Sequence, residues 1–149
     1  MSDAVILLDT NVVSELMRPK PAHAVLDWFA AQDSTKLFFS AVSEAELRTG
    51  AAILPAGKRR DSLTATIDIM ITEDFAGRVL PFDSAAAKAY AAIAASRRTA
   101  GQPIMEADCQ IAAIAHVRGA AVATRNVRDF EGCDIEIVDP FHAIRVDRK

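Results

Sequence analysis

The residues of this chain with the clearest potential for chemistry are acids from separate stretches of the sequence. They are Asp9, Glu44, Glu46, Asp108 and Asp129. Carboxylates that lie close together repel one another, so their pKa values rise unless a cation lies among them. Mg²⁺ and Mn²⁺ prefer oxygen ligands, whereas zinc sites usually include histidine or cysteine. If folding gathers these acids, the sequence predicts a site for a hard divalent cation.

The elements that would position these acids are short apolar segments alternating with longer amphipathic ones. Apolar runs typical of buried strands occupy residues 5–8, 37–39, 79–80, 121–124 and 135–138. Helical spacing of apolar residues predicts helices over 22–32, 42–54, 61–75, 84–99 and 105–117. Strands that alternate with helices indicate an α/β fold with a parallel sheet.

Polar residues follow several of the predicted strands, where the carboxyl ends of parallel strands form a ligand-binding edge. In chain order they are Asp9, Thr10 and Asn11, then Ser40, then Thr124, Arg125, Asn126 and Asp129. Asp108 opens the helix that precedes the fourth strand. Each acid alone is explained by helix capping or by a surface position. Their convergence at one edge favours a functional site.

Composition limits the function classes. The 149 residues suit one globular domain, and a net charge of -3 with a pI of about 5.6 argues against nonspecific coating of DNA. Cys109 and Cys133 belong to no metal-binding motif, and His23, His116 and His142 are scattered. With no signal peptide or membrane span in the sequence, we expect a cytoplasmic protein with reduced thiols.

Four segments, in order, resemble the motifs of PIN-domain proteins. They are residues 6–16, which begin Ile-Leu-Leu-Asp-Thr-Asn, 43–50 around Glu46, 107–113 around Asp108, and 123–130 with Thr-Arg-Asn and Asp129. The resemblance reaches residues 140–142. The sequence is similar to the VapC toxins of bacterial toxin–antitoxin pairs, in particular to their FitB-like branch.

The resemblance implies a single PIN domain over residues 1–143, followed by a short basic tail at 144–149 that we expect to be frayed. The implied fold is an α/β/α sandwich with a central parallel sheet of about five short strands. The implied activity is Mg²⁺- or Mn²⁺-dependent endonucleolytic cleavage of RNA by a water that the cation activates. The implied partners are a second copy of the chain and an antitoxin that occupies the groove.

The resemblance also assigns roles to residues. Asp9, Glu46 and Asp108 are expected to hold the metal, with Glu46 chosen over Glu44. Either Asp129 or Asn126 completes the site, and this choice stays open. Position in the sequence, rather than the resemblance, suggests the supporting residues. We expect Thr10 and Asn11 to orient the first acid, and Ser40 and Thr124 to donate hydrogen bonds. Arg48 and Arg125, the closest arginines in sequence, would hold substrate phosphates.

Other arginines carry weaker expectations. Arg18 and Arg128 are further candidates for phosphate contact, whereas the pairs at 59–60 and 97–98 are interpreted as ordinary charges at helix ends.

Two rival interpretations differ in class. Enzymes that form an aspartyl phosphate commonly need a second Asp two residues after the first, and Asn11 occupies that position here. A P-loop enzyme is excluded because the chain lacks the glycine-rich phosphate-binding motif. The stronger rival is a PIN-like binding module that works mainly in complex with a DNA-binding antitoxin.

Overall fold

A six-stranded sheet lies at the centre of the computed structural model, which describes residues 5–142 and 144–147. The strands are β1 (Ile6–Leu8), β2 (Leu37–Ser40), β3 (Val79–Leu80), β4 (Ala121–Ala123), β5 (Ile137–Asp139) and β6 (Ile144–Val146). Their order across the sheet is β3-β2-β1-β4-β5-β6. The first five strands are parallel, and β6 pairs with β5 in the antiparallel direction. The predicted parallel sheet of about five strands is confirmed.

Helices connect the strands and cover both faces of the sheet. They are α1 (Thr10–Leu16), α2 (His23–Ala30), α3 (Ala41–Ala52), α4 (Lys58–Ile69), α5 (Ser84–Thr99), α6 (Glu106–Arg118) and α7 (Val127–Phe130). A 3₁₀ turn spans Ser34–Lys36, and a π-helical turn spans Met70–Asp74. Among the described residues, none of these helices has the length and apolarity that crossing a membrane requires.

The two hydrophobic cores lie on opposite sides of the sheet, as the alternation of side chains along β1 requires. Leu7 packs with α5 and α6, whereas Leu8 packs with α1, Phe39 and Phe75. Both leucines are fully buried. This arrangement confirms the predicted α/β/α sandwich. Because β1 lies between β2 and β4, its carboxyl end lies near the middle of the edge where the parallel strands end.

Several predicted boundaries differ from the structure. The fourth helix begins at Lys58 rather than residue 61, and its predicted C-terminal turn is π-helical. The last parallel strand begins at Ile137, two residues later than predicted. The expectation of a frayed tail from residue 144 is wrong for Ile144–Val146, because backbone pairing with β5 holds this segment on the sheet. The predicted start of the domain at residues 1–4 lies outside the described residues.

Candidate active site

Asp9 lies where β1 ends and α1 begins, and its carboxylate is held by three donors. Oδ1 accepts from the backbone N–H of Thr10 at 2.8 Å, which caps α1. Oδ2 accepts from the hydroxyl of Thr124 at 2.8 Å and from Nδ2 of Asn11 at 3.2 Å. The side chain is buried, so Asp9 is fixed between the ends of β1 and β4.

Thr124 connects this carboxylate to the chain that follows β4. Its buried hydroxyl also accepts from the backbone N–H of Asn126 at 3.0 Å. Oδ1 of Asn11 accepts from the backbone N–H of Arg125 at 3.2 Å. The polar residues after β1 and those after β4 therefore form one hydrogen-bonded network at the predicted sheet edge.

The structure separates the two glutamates of α3. Glu46 turns toward Asp9, and its Oε1 accepts from the hydroxyl of Thr10 at 2.6 Å. Glu44 instead pairs with Arg48, whose Nε lies 2.7 Å from its Oε2, and Arg48 also binds Asp68 at 2.8 Å. Residues two apart on a helix point in different directions, which explains the separation.

Asp108 lies in the first turn of α6 and completes the acidic cluster. Its pKa is raised to about 6, mainly by burial and further by the charges of Asp9, Asp129 and Glu46, whereas the charge of Arg97 opposes the shift. Burial also raises the pKa of Asp9, although the hydrogen bonds from Thr124 and Thr10 oppose this shift. The charge of Asp129 contributes to both shifts, so its carboxylate is electrostatically coupled to the cluster.

These side chains line an open groove of about 520 Å³. Its lining consists of Asp9, Thr10, Asn11, Ser14, Glu15, Arg18, Glu46, Asp108, Arg125 and Asn126. The guanidinium of Arg125 lies 3.9 Å from the centre of the Phe141 ring, a contact that restricts its position. The groove thus combines carboxylates with two arginines, a composition suited to a cation and an anion bound side by side.

Three predicted site residues have other surroundings. Ser40 is fully buried and caps α3, where its Oγ accepts from the backbone N–H of Ser43 at 3.0 Å, because β2 runs directly into that helix. Arg48 faces α4 through its ion pairs and does not line the groove. Asp129 also lies outside the lining, whereas Asn126 belongs to it.

Two charged residues near the site were missed or misread from sequence. Glu15 is 5% exposed, and it accepts from the backbone N–H of Ala22 at 2.8 Å and from Nη1 of Arg18 at 3.2 Å. The backbone hydrogen bond from Ala22 is the main cause of its lowered pKa. The i,i+3 spacing of Glu15 and Arg18 was the available signal. Arg97, predicted to be a helix-end charge, is buried.

A family model, described as PIN domain, matches residues 6–134 of this chain. The chain belongs to the PIN-domain family. A VapC ribonuclease of Sinorhizobium fredii, Y4jK, is 44% identical over 92% of this chain and 98% of its own length. Toxin FitB of Neisseria gonorrhoeae is 41% identical over 93% of this chain and 99% of its own.

Solved structures place the same fold in protein complexes. The crystal structure of FitAcB from Neisseria gonorrhoeae includes a chain similar to this PIN domain, with a TM-score of 0.87 and 40% identity over 93% of this chain and 99% of that one. A chain in the structure of FitAB bound to a DNA fragment matches with the same TM-score of 0.87 and the same identity of 40%. The match covers 93% of the present chain and 96% of the FitAB chain.

The donor chemistry of this PIN domain fits a hard divalent cation. Asp9, Glu46 and Asp108 offer carboxylate oxygens in one groove. Burial is the main cause of the raised pKa values of Asp9 and Asp108, and a cation would relieve the charge repulsion that adds to it. Within the described residues, no three His, Cys, Asp or Glu side chains form a ready-made ligand set. The oxygens are of the right chemical kind, but among the described residues they are not gathered at ligand distance, and Glu46 accepts a hydrogen bond from Thr10.

Proposed function

We propose that this PIN-domain protein is a Mg²⁺- or Mn²⁺-dependent endoribonuclease and the toxin of a type II toxin–antitoxin pair. The observation that supports this most is the meeting of Asp9, Glu46 and Asp108 in one groove with Arg18 and Arg125. The acids lie at the end of β1, on α3 and on α6, so the fold, and not local sequence, gathers them. A relative that carries the name VapC ribonuclease supports the assignment to RNA, and one that carries the name toxin FitB supports the assignment as a toxin.

The carboxylates of Asp9, Glu46 and Asp108 would hold the metal, directly or through water. When bound, Mg²⁺ or Mn²⁺ supplies activation of a water and stabilisation of charge on the phosphate. Thr10 orients Glu46 through its hydroxyl, and its backbone N–H fixes Asp9. The hydroxyl of Thr124 opposes the effect of burial and favours the charged form of Asp9.

The arginines of the groove would bind the substrate backbone. Arg125 carries a charge at the groove wall and is restrained by the Phe141 ring. Glu15 restrains Arg18 at the opposite end of α1 from Asp9. Guanidinium groups bind phosphate oxygens in a planar, directional way, so these two residues would position a phosphodiester over the acids. Arg48 is not assigned this role, since Glu44 and Asp68 neutralise it.

The proposal has three further parts. A cognate antitoxin would block the groove, the toxin would be a homodimer, and it would act in the cytoplasm. The FitAB structure bound to DNA shows that a similar chain occurs in a complex with DNA, which also supports the alternative role as a binding module. Thermal stability during Mn²⁺ titration separates the alternatives. A metal-dependent enzyme would show an increased Tm with Mn²⁺ and cleavage after removal of bound partner, whereas a pure binding module would show neither.

The deciding experiment is RNA cleavage by purified protein with Mg²⁺ or Mn²⁺, compared with cleavage in EDTA. Asp9→Asn should abolish cleavage, and Asp68→Asn, which alters an exposed carboxylate outside the groove, should not. Cleavage by Asp9→Asn at the wild-type rate, or wild-type cleavage that persists in EDTA, would show that the proposed activity is wrong.

A further inference from the structure

Arg97 lies in the last turn of α5 and is 7% exposed, whereas its neighbour Arg98 is exposed. Among the ion pairs of the described residues, none includes Arg97. A buried guanidinium without an acid partner costs free energy unless acceptors satisfy its N–H groups. Its acceptors therefore indicate what this side chain does.

These acceptors are backbone carbonyls from two other segments, together with Sγ of Cys133, which lies 3.8 Å from Nη1. Nε donates to the carbonyl of Gln102 at 2.7 Å. Nη1 donates to the carbonyls of Asp129 at 3.0 Å and Glu131 at 2.7 Å. Gln102 belongs to the loop that leads into α6, which carries Asp108. One side chain therefore joins the segments that carry Asp108 and Asp129.

The α7 segment depends on such contacts because it is a single helical turn. The last carbonyls of a helix have no partners within it, and four residues leave almost every carbonyl in that position. Arg97 satisfies carbonyls at the end of this turn, and the hydroxyl of Thr124 accepts from the Asn126 N–H at its beginning. The segment is thus held from both ends.

The position of α7 matters because this turn begins beside the acidic groove and carries Asp129. The Thr124 hydroxyl that accepts from the Asn126 N–H at its beginning also donates to Oδ2 of Asp9, while the Asp129 side chain lies outside the groove lining. The charge of Asp129 raises the pKa of both Asp9 and Asp108, so its carboxylate is coupled to both. Displacement of α7 would change the distance between this fourth acid and the other carboxylates.

We propose that Arg97 is a positioning residue that holds α7 so that Asp129 contributes to the metal-binding groove. The planar guanidinium spans acceptors on two segments at once, which a lysine ammonium cannot reproduce with the same geometry. The inference rests on the proposed function for its effect on catalysis, but its effect on metal binding is measurable without RNA.

The test is Mn²⁺ affinity, measured by isothermal titration for the wild type, Arg97→Met, Arg97→Lys and the matched control Arg98→Met. Outer contacts of metal sites typically change affinity by about 10- to 100-fold, so we expect Arg97→Met to weaken binding by about 10-fold. Arg97→Lys should be intermediate, and Arg98→Met should match the wild type. Hydrogen exchange should accelerate in residues 126–133 of Arg97→Met and remain unchanged in the other helices.

Repeating the substitution in an Asp129→Asn background shows whether Arg97 acts through Asp129. In that background Arg97→Met should weaken Mn²⁺ binding by less than about twofold, because the acid that it positions is already neutral. Equal weakening in both backgrounds, or no weakening in either, would overturn the proposal. If Arg97→Met does not fold, Arg97→Lys in the same two backgrounds decides.

RNA cleavage separates this proposal from the proposed function. We expect Arg97→Met to lower kcat while leaving KM unchanged, since the substrate-binding arginines stay in place. A wild-type protein that binds Mn²⁺ but leaves RNA intact would contradict the proposed function while the Arg97 comparison still stands. If the wild type cleaves RNA normally but Arg97→Met binds Mn²⁺ as tightly as the wild type, the proposed function stands and the role of Arg97 is contradicted.

Discussion

The hydroxyl of Thr124 donates a hydrogen bond of 2.8 Å to Oδ2 of Asp9, a residue 115 positions earlier in the chain. The two residues follow adjacent strands, so the pairing of β1 with β4 brings them together. Burial raises the pKa of Asp9, and this hydrogen bond counteracts the increase. The hydrogen bond from Thr124 thus favours the charged form of the Asp9 carboxylate.

Replacement of Thr124 by Val is expected to raise the pKa of Asp9 further, because the charged form loses a donor. Cleavage should fall by about 10-fold at acidic pH, and the acid limb of the pH–rate profile should shift to higher pH. Thr124→Ser, which keeps the hydroxyl, is the control and should retain the wild-type profile. Identical pH profiles for Val and Ser variants would contradict the role assigned to this hydroxyl.

Glu46 and Glu44 offer a matched pair on one helix. Glu46→Gln should lower kcat on the order of 100-fold, because it removes a charge from the groove. Glu44→Gln should leave kcat unchanged and cost at most about 0.5 kcal/mol of stability, the usual contribution of an exposed i,i+4 ion pair. Steady-state kinetics and chemical unfolding measure both effects. Equal losses of activity in the two variants would refute the separation seen in α3.

Asp108 is expected to destabilise the metal-free protein at neutral pH. Its folded pKa of about 6 lies above the ordinary value of 3.8, so the folded state binds the proton more tightly than the unfolded state. The penalty is absent below pH 3.8, develops as pH rises and is complete above about 6.

In EDTA at pH 7.5, Asp108→Asn should therefore increase stability by about 1 kcal/mol, since solvent screens part of the effect. This corresponds to an increase in Tm of about 2–4 °C, which calorimetry can detect. The gain should vanish near pH 4, while RNA cleavage by the variant is lost at every pH. A Tm that is unchanged at pH 7.5, or a gain that is larger at pH 4, would contradict this reasoning.

Arg125 should act on substrate binding rather than on the chemical step. We expect Arg125→Gln to raise KM by about 10-fold. The slope of log binding constant against log salt concentration should decrease by the amount expected for about one lost phosphate contact. Phe141→Leu, which removes the ring beneath the guanidinium, should have a smaller effect of the same kind. Arg98→Gln is the control for lost positive charge. An unchanged salt dependence in Arg125→Gln would show that this arginine does not contact the substrate backbone.

The sequence was sufficient to predict the parallel sheet and the residues after β1 and β4, because strand ends of a parallel sheet share an edge. It was not sufficient for Arg97, whose burial depends on carbonyls more than 30 positions away that no periodic pattern marks. Glu15 was missed for a different reason: its i,i+3 spacing to Arg18 was visible, but its acceptor role depends on how the chain after α1 places the backbone N–H of Ala22. Arg48 was assigned to substrate from its proximity in sequence to Glu46, but its direction on α3 depends on the packing of α4.

The insertion of β4 beside β1 has a consequence for synthesis of the protein in the cell. Asp9 leaves the ribosome early, but Ala123 and Thr124, which hold its backbone and carboxylate, are made much later. A nascent chain that ends before residue 124 lacks the Thr124 hydroxyl, so only the donors of Thr10 and Asn11 remain for the Asp9 carboxylate. A truncated translation product therefore lacks the assembled groove. If the protein is a toxin, only chains synthesised almost to full length can be toxic to the cell that makes them.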